Sequence, residues 1–463
     1  MSVRKLSRKR YTGAAALVAV LAMVAAACSS SKKSSSSTTA APKTAAGAAA
    51  ATTVANAATA TTIGNCTTTA PPGMTASTIT VGVVTDETGV AASNNKGYAA
   101  FKARIDAQND AGGVYGRKIN LVAEDGQSAP TPNLTAVQKI VLTSNPFVMV
   151  DDSYALSSSY RYLVQQKIPT VTGGYDGPEY ADAGNEYLIP MLVGNLGKPW
   201  PANNTIVPTF MKQQGVTKGA GLGYSISPSS AAAAQNIVSA LATVGLPGGY
   251  VNTSIPFGGE NVGSVILDMK RQSVDGAYLA MDNNTNFAIA NSAIQNGLTF
   301  KALVMATGYD QNLLNNPTTV ATAEKGNVFI SSQFVPYEAA TPGVQRMQAV
   351  FQKYLNLAPS YHPIFGYWIG YADAQLLIDG LMAAGCQGTS YPTRQDFVDG
   401  VRSFDNWTDD GIFCSGLSFT MATYGTTVTR EGCAYEIKVQ NGQFVVVTKA
   451  SGHNLKPTGP GTA

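Results

Sequence analysis

The sequence predicts an α/β fold made of two similar arrays of parallel strands and helices. At 463 residues the chain is too long for one hydrophobic core of the usual size, which indicates two domains or lobes. Short apolar runs alternate with helical patterns, and this alternation is typical of parallel sheets. The alternation begins again near residue 197, which predicts a second array of similar size.

The first unit of the chain has the pattern of strand, loop, helix, turn and strand. The apolar run at residues 79–84 predicts a strand that is covered on both faces. Tyr98, Phe101 and Ile105 recur at helical spacing and predict one apolar stripe on a helix. Ligands of open parallel sheets bind beyond the carboxyl ends of the strands. The polar loop at residues 85–95 is therefore expected to lie at a binding edge.

The other elements continue this alternation and end in a helical region with short strands. Strands are predicted at residues 119–122, 147–150, 169–172, 219–224, 250–255, 276–281, 302–307 and 328–335. Helices are predicted at 130–143, after 154 up to 166, and at 205–214, 229–244, 262–273 and 287–296. The last region is expected to form helices at 342–355, 365–384 and 393–403, and short strands at 416–420, 434–439 and 444–447.

Residues 1–28 have the pattern of an export signal. Basic residues precede an apolar stretch at 14–27 that is short for a membrane span. Small residues directly before Cys28 resemble a bacterial lipobox, which implies cleavage before Cys28 and its lipidation. Ordinary signal cleavage with Cys28 as a bystander, or a permanent membrane anchor, are the alternatives. Residues 29–76 are rich in Ser, Thr and Ala and are predicted to be a disordered tether, and residues 451–463 a flexible tail.

Composition and motifs favour a binding protein over an enzyme or a nucleic-acid partner. The net charge is +3, charged residues make up 13% of the chain, and no basic patch is evident. The sequence contains no Gly-x-Ser-x-Gly elbow, no His-Glu-x-x-His and no phosphate loop ending in Gly-Lys-Ser/Thr. His362 lies in Tyr-His-Pro and is expected to be a loop or packing residue. We therefore predict no catalytic residue, no metal and no cofactor.

Four cysteines remain after Cys28, and an even number in an exported chain indicates two disulfides. Three connectivities are open. Cys414 and Cys433 bracket the run GLSFT, so a local bridge between them is our first choice, which leaves Cys66 to pair with Cys386. No two cysteines have the spacing of a zinc finger.

Three runs in the first half of the chain carry a family resemblance: ITVGVV, GYAAFKARIDAQNDAGGVYGRKINLVAEDG and QQKIPTVTGG. They resemble the substrate-binding proteins of bacterial ABC importers with the type I periplasmic binding fold, typified by the leucine/isoleucine/valine-binding protein. The pattern of that family, a helix ending in Asn-x-x-Gly-Gly, then Gly-Arg and a strand ending in Asp, corresponds here to Asn109, Gly112, Gly113, Gly116, Arg117 and Asp125.

The resemblance implies two Rossmann-like lobes with parallel sheets, joined by three crossovers, with the ligand in the cleft between them. Lobe 1 would comprise residues 77–196 and 337–424, and lobe 2 residues 197–336 and 425–450. It also implies a monomer that captures a small polar ligand, such as an amino acid. A lipid anchor would hold the protein on the extracytoplasmic face of the membrane, beside the ABC permease subunits that are its partners.

The resemblance further implies ligand contacts from the loops that follow the strands of both lobes. The corresponding positions in lobe 1 are Ser153, Tyr154, Thr172, Gly173, Gly174, Tyr175 and Asp176. Those in lobe 2 are Tyr224, Asp282, Tyr309 and Asp310. Backbone N–H groups and hydroxyls of the first set would hold a carboxylate or carbonyl, and an acidic residue of the second set suits an ammonium group. Glu87 and Thr88 in the first loop are further candidates.

Several of these residues have an alternative role. Ser153 and Asp310 have the residue types that cap a following helix, and Tyr175 could cover the core of its own lobe. Asp151 and Asp152 differ from the small residues common at that point in the family, so they indicate a different ligand or a solvent-facing position. For the whole protein, the alternatives are a ligand sensor for a membrane receptor and a cell-surface interaction protein that retains the fold.

Overall fold

The structure is a computed structural model that describes residues 64–174, 180, 185–192, 205–258, 262–420, 433–451 and 454–457. The predicted export signal, the lipidation site Cys28 and the tether up to residue 63 lie outside these described residues. So do Tyr175, Asp176 and most of the predicted tail. The expectations for those segments therefore stay predictions.

The first sheet has five parallel strands in the order β2-β1-β3-β4-β5. Their bounds are Thr78–Thr85 for β1, Lys118–Asp125 for β2, Val148–Asp151 for β3, Thr170–Thr172 for β4 and Leu188–Pro190 for β5. Val81 and Val83 are fully buried in β1, which lies between β2 and β3, as the apolar run predicts. Because all five strands are parallel, their carboxyl ends meet at one edge of the sheet.

The helices that follow these strands are α1 (Ala92–Asn95), α2 (Tyr98–Asp110), α3 (Pro130–Ser144) and α4 (Tyr160–Gln165). The single helix predicted after residue 154 is wrong, because a 3₁₀ turn at Leu156–Ser158 comes before α4. Ser158 Oγ and Ser159 Oγ donate to the carbonyls of Ala155 and Leu156. Hydroxyls that bond to nearby backbone in this way compete with a continuous helix.

The second sheet has eight strands in the order β13-β12-β11-β10-β9-β8-β6-β7. The parallel strands are β6 (Gly219–Tyr224), β7 (Tyr250–Ile255), β8 (Gly276–Ala280), β9 (Ala302–Met305) and β10 (Val328–Ser332). Three antiparallel strands extend the sheet: β11 (Cys433–Gln440), β12 (Gln443–Ser451) and β13 (Asn454–Pro457). The second sheet is therefore mixed, with its parallel part at one side.

The strand predicted at residues 416–420 is wrong. Leu417 forms only an isolated bridge with Trp407, and Phe419 N donates to the carbonyl of Phe404. The Ser418 hydroxyl donates to Asp405 at 2.6 Å. These groups bond back to the preceding turn and not to a sheet, so an apolar pattern here does not produce a strand.

The helices of the second array are α5 (Ile206–Gln213), α6 (Pro228–Thr243), α7 (Gly263–Arg271), α8 (Asn283–Gln295), α9 (Gln311–Leu314) and α10 (Pro317–Lys325). The chain then forms α11 (Pro342–Leu355), α12 (Phe365–Ala384) and α13 (Arg394–Arg402). These three helices belong with the first sheet, because α11 and α12 pack on α2 and α13 packs on α12. A Cβ at Gly370 of α12 would lie 2.4 Å from the carbonyl oxygen of Gly97, so the two helices need a glycine there.

After α13 the chain returns to the second sheet, where β11 pairs with β10. The structure forms the two disulfides of our first choice, Cys66–Cys386 and Cys414–Cys433. The first ties the start of the described chain to the end of α12. The second joins Cys414 to the first residue of β11. The exact lobe boundaries remain a prediction.

Candidate functional site

The candidate site lies where loops from the two sheets meet. Tyr154 follows β3 of the first sheet, and its ring is 5.9 Å from the ring of Phe257, which follows β7 of the second. Asn284 Nδ2, at the start of α8, is 3.5 Å from Ser93 Oγ in α1. Both contacts join residues that follow the carboxyl ends of strands, which is the edge where ligands of parallel sheets bind.

Asp86, directly after β1, organises the first-sheet side of this site. It is fully buried. Its Oδ1 accepts from Ser153 Oγ at 2.7 Å and from Ser128 N at 2.9 Å, and its Oδ2 accepts from Tyr154 N at 3.0 Å. Burial raises the pKa of Asp86, and these hydrogen bonds oppose the rise. One carboxylate thus connects the loops after β1, β2 and β3.

Ser153 is 1% exposed, and its hydroxyl is used inside the protein. It donates to Asp86 and accepts from Ala155 N at 3.1 Å. A Cβ on Gly126 would lie 2.9 Å from the Asp86 carboxylate and 3.0 Å from Ser153 Oγ, so the loop after β2 needs a glycine beside them. The predicted contact of Ser153 with a ligand stays a prediction. Its observed partners place it beneath the binding edge.

The two acidic residues at the end of β3 are both buried, so the alternative that they face solvent is wrong. Asp151 accepts from Ser159 Oγ at 2.7 Å and from Asn133 Nδ2 at 3.0 Å. Burial raises the pKa of Asp151 to about 7. Burial also raises the pKa of Asp152.

The loop after β4 is described only up to Gly174. The hydroxyl of Thr172 is fully buried and lies 2.6 Å from the hydroxyl of Tyr180. Gly174 has φ +76°, in the left-handed region that favours glycine. This conformation turns the chain sharply at the binding edge, directly before the predicted contacts Tyr175 and Asp176, which lie outside the described residues.

In the first loop, Glu87 and Thr88 are held by Asp125 at the end of β2. Asp125 accepts from Glu87 N at 3.0 Å and from Thr88 Oγ1 at 2.5 Å. The Glu87 carboxylate in turn accepts from Thr85 Oγ1 at 2.8 Å and from Tyr98 N at 3.0 Å. These bonds shape the loop.

In the second sheet, Tyr224 and Asp282 are direct partners. The Tyr224 hydroxyl donates to the Asp282 carboxylate and lies 2.8 Å from Thr285 Oγ1. Asp282 also caps α8, accepting from Asn284 N at 2.8 Å and from Thr285 N at 3.1 Å. Burial and the Asp282 charge raise the pKa of Tyr224, so this phenol stays protonated. The Tyr224 ring is 4.6 Å from Phe257, which therefore lies against Tyr154 and Tyr224 together.

Asp310 is buried and caps α9, as its alternative role predicts. It accepts from Asn312 N at 2.9 Å and from Leu313 N at 3.3 Å, and Asn283 Nδ2 donates to its other oxygen. Burial raises the pKa of Asp310. Because Asn283 directly follows Asp282, the caps of α8 and α9 are connected, and the structure brings these two predicted residues together.

Tyr309 lies in a separate cluster, formed around the chain segment that follows β10. Its hydroxyl donates to Glu338 and accepts from Tyr337 N at 2.8 Å. His362 Nε2 is 2.6 Å from the other Glu338 oxygen, and the ring of Phe444 is 4.7 Å from that of Tyr309. Burial acts to raise the pKa of Glu338, but hydrogen bonds from His362 and Tyr309 hold it below its usual value. His362 thus has a packing and bonding role.

Sequence reasoning missed Asp86 and Phe257. The sequence does contain a signal for Asp86, because it is the first acidic residue after a buried strand, but the prediction named its neighbours Glu87 and Thr88. Phe257 had none, because its importance depends on how a loop of one sheet meets a loop of the other. In the described ranges no group of three His, Cys, Asp or Glu side chains is arranged to hold a metal ion.

The comparisons with known proteins agree with this architecture. The sequence pattern of the periplasmic binding protein family matches residues 78–443, so the chain belongs to that family. No curated protein sequence matches the chain. Within the part of the chain that the structure describes, no helix is both long and apolar enough to cross a membrane.

Solved structures share the fold at low sequence identity. A fatty acid ABC transporter substrate-binding protein from Thermomonospora curvata is 20% identical, with a TM-score of 0.66 over 83% of this chain and 95% of that chain. A leucine-binding protein from Thermotoga maritima is 16% identical, with a TM-score of 0.61 over 80% and 98%. A solute-binding protein of an ABC transporter from R. palustris, in complex with benzoate, is 14% identical, with a TM-score of 0.60 over 81% and 97%.

Proposed function

We propose that the protein is an extracytoplasmic solute-binding lipoprotein that works as a monomer and is not an enzyme. It captures a small polar ligand, such as an amino acid or a related compound, between its two lobes and delivers it to an ABC permease. The observation that carries the proposal is the meeting of the two binding edges, where Tyr154 of one sheet contacts Phe257 of the other at 5.9 Å.

Lobe closure is the mechanism that this arrangement supports. A ligand docks on one lobe, and the hinge brings the other lobe down on it. The ligand favours the closed state only through its higher affinity for that state. A micromolar Kd, about −8 kcal/mol, is the affinity expected for reversible capture. The contacts Tyr154–Phe257 and Ser93–Asn284 belong to the closed arrangement and are the contacts that opening would break.

The ligand class is the part of the proposal that experiment decides. The similar structures are named for a fatty acid, for leucine and for a complex with benzoate. The facing binding edges of this protein have aromatic rings at Tyr154, Tyr224 and Phe257, beside the carboxylate of Asp282. Those groups suit a ligand that has an apolar part and a hydrogen-bond donor or an ammonium group, which favours an amino acid over a simple carboxylic acid.

A thermal denaturation screen tests the proposal, because a specific ligand raises the melting temperature by mass action. The panel comprises L-leucine, L-isoleucine, L-phenylalanine, benzoate and decanoate. We expect an amino acid to raise the melting temperature of the wild type and to have a smaller effect on Tyr154→Ala. The control is Leu142→Ala, which removes a 78% exposed side chain near the end of α3, away from the carboxyl ends of the strands. This variant should keep the effect of the ligand on the melting temperature. An equal ligand effect in wild type and Tyr154→Ala would contradict the proposed site.

The anchor is tested separately with Cys28→Ala. The wild-type chain, expressed in a bacterium, is expected to fractionate with membranes, and the variant to lose that association, because lipidation of Cys28 is what holds the protein there. Membrane association of both proteins would indicate a permanent membrane anchor, and release of both would show that Cys28 is a bystander of ordinary signal cleavage.

A further inference from the structure

A pair of carboxyl groups is buried beneath the binding edge of the first sheet. Asp152 directly follows β3, and Asp373 lies on α12; the two are 2% and 0% exposed. The two carboxyl groups lie next to each other, and each acts on the pKa of the other. Two carboxylates are acceptors only, so this contact needs a proton on one of them. The pair therefore exists as one carboxylic acid and at most one carboxylate.

The rest of the described protein supplies little to compensate charge on this pair. All four carboxyl oxygens are buried without a hydrogen-bond partner among the described residues, although the nearby Gly173 N–H acts to lower the pKa of Asp152. Asn95 Nδ2 donates to the backbone oxygen of Asp152 at 2.8 Å and not to its carboxylate. Asp86 is the one further charge that acts on Asp152, and it has the same sign.

Among the described residues, no cationic side chain of the neighbouring elements faces the pair. The short helix α1 and strand β4, with sequences ASNN and TVT, carry no titratable side chain, and Lys96 after α1 is exposed. From α2, Arg104 donates to Gln375 at 2.7 Å, and the charges that act on it are those of Tyr371, Arg346, Asp409 and Asp379.

The charged residues of α13 are also engaged elsewhere. Arg394 donates to the carbonyls of Phe147 and Pro146, and Arg402 to the carbonyl of Leu188. Asp396 completes the cap of its own helix, and Asp399 accepts from Gln395. Burial next to a second carboxyl group raises the pKa of Asp373 well above its usual value, in agreement with a retained proton.

The pair sits where three loops of the binding edge converge. Asp152 N donates to the carbonyl of Val84, the neighbouring Ser153 donates to Asp86, and Gly173 of the β4 loop lies at the Asp152 carboxyl group. We infer that Asp373 is a positioning residue for the binding edge of the first lobe, and that it acts through a proton shared with Asp152. Loss of that proton places two like charges in contact in a buried site and pushes the Asp152 loop away from α12.

The direction of the pH effect follows from linkage. Both carboxyl groups have a higher pKa in the folded protein than in the unfolded chain, so the folded state binds more protons. Their contribution to stability is complete below the usual pKa of an Asp, about 4, and is lost as the pH rises through the raised values. The binding edge is thus best ordered at acidic pH.

The test compares Asp373→Asn with the wild type, because an amide donates to Asp152 without a titrating proton. The melting temperature of the wild type is expected to fall between about pH 5 and about pH 8, and that of Asp373→Asn to fall less, so that the variant is the more stable protein at the higher pH. Hydrogen exchange in residues 152–174, corrected for the intrinsic effect of pH, should rise with pH in the wild type and much less in the variant.

Asp379→Asn is the matched control, because it removes another, half-buried carboxylate of α12 that accepts from Trp407 and Gln375. It should keep the wild-type change in exchange at residues 152–174. If Asp373→Asn fails to fold, Asp152→Asn provides the same comparison from the other partner. The inference would be overturned if the melting temperatures of the wild type, Asp373→Asn and Asp152→Asn changed with pH in parallel. The inference would also be overturned if calcium chloride stabilised only the wild type and removed its pH dependence, because a bound cation and not a shared proton would then hold the two carboxyl groups together.

These measurements need no ligand, and only the consequence for ligand affinity rests on the proposed function. A screen in which no compound binds would contradict the proposed function and leave the shared proton to be judged by the pH profiles. Equal pH profiles would overturn the shared proton even if a ligand is found. The two failures are therefore distinguishable.

Discussion

The two facing edges of the protein use their carboxylates in different ways. In the first sheet, Asp86 accepts hydrogen bonds from Ser153, Tyr154 and Ser128, which belong to other loops. In the second sheet, Asp282 caps the helix that begins at the next residue, and Asp310 does the same for its own helix. The first edge is thus held together by contacts distant in sequence, and the second mainly by contacts within a few residues.

This difference predicts how many parts of each edge a single substitution affects. A change at Asp86 affects three loops at once, since their donors all end on the same carboxylate. A change at Asp282 or Asp310 affects one helix terminus and one or two side chains beside it. The two edges should therefore differ in sensitivity to the same kind of substitution, and the predictions below go from the largest expected effect to the smallest.

Asp86→Ala should have the largest effect. It leaves the buried Ser153 Oγ and the half-buried Tyr154 N and Ser128 N without their acceptor, and each lost bond to a charged group costs about 1.5–3 kcal/mol. We expect a loss of at least about 3 kcal/mol in the free energy of unfolding, measured by urea denaturation. The control is Asp86→Asn, which keeps one acceptor oxygen and should lose less. A loss below about 1 kcal/mol for Asp86→Ala would show that water replaces the carboxylate.

The second prediction concerns a buried acid of the second sheet. Glu436 in β11 is fully buried, accepts from Ser331 Oγ at 2.9 Å and has one oxygen without a partner among the described residues. Burial raises its pKa to about 7, so its contribution to stability is complete at acidic pH and is lost as the pH rises through about 7. Glu436→Gln keeps an acceptor for Ser331 and has no charge to bury.

We therefore expect Glu436→Gln to be more stable than the wild type above about pH 7, by up to about 3 kcal/mol, and no more stable at about pH 5. Urea denaturation at both pH values measures this. The matched change in the first sheet is Asp151→Asn, whose carboxylate accepts from both Ser159 and Asn133. Burial raises the pKa of Asp151 to about 7 as well, so Asp151→Asn should also gain stability relative to the wild type as the pH rises. It should start from a lower stability than the wild type at about pH 5, because an amide loses one of those bonds. Equal stability of Asp151→Asn and Glu436→Gln relative to the wild type at about pH 5 would remove the difference between the sheets.

The sequence predicts local features of this molecule well and distant pairings poorly. The apolar run at β1 and the two disulfides follow from residues close in sequence or from counting. The 3₁₀ turn before α4 and the absence of a strand at 416–420 depend on hydroxyls of Ser158, Ser159 and Ser418 that bond to the backbone or to Asp405.

The candidate site shows the same limit. The cap of α9 by Asp310 is predicted from the run that follows it, whereas the partner of Asp152 is Asp373, which lies far along the chain on α12. Likewise, the contact of Phe257 with Tyr154 exists only because two loops of different sheets meet. The family resemblance supplied the two-lobe architecture and the loops, but not which side chains of those loops are already used by the protein itself.

The third prediction is a local effect in the second sheet. Asp282→Ala removes the cap of α8, where Asn284 N and Thr285 N lose their acceptor. Loss of an N-cap costs about 0.5–2 kcal/mol. We expect a loss of about 1–2 kcal/mol in the free energy of unfolding, well below that of Asp86→Ala, with Asp282→Asn close to the wild type because Asn also caps helices. A loss equal to that of Asp86→Ala would show that the second edge depends on distant contacts as much as the first.

The smallest effect is expected for Tyr224→Phe. The variant keeps the ring that lies 4.6 Å from Phe257 and loses the hydroxyl that donates to Asp282. Asp282 retains its two backbone donors and Thr285 Oγ1, so only about 0.5–1.5 kcal/mol of stability should be lost. If the rings matter for closure and the hydroxyl does not, Tyr224→Phe should keep the ligand effect on the melting temperature, whereas Phe257→Ala should reduce it. Loss of that effect in Tyr224→Phe alone would instead identify the hydroxyl, with Asp282, as the group that recognises the ligand.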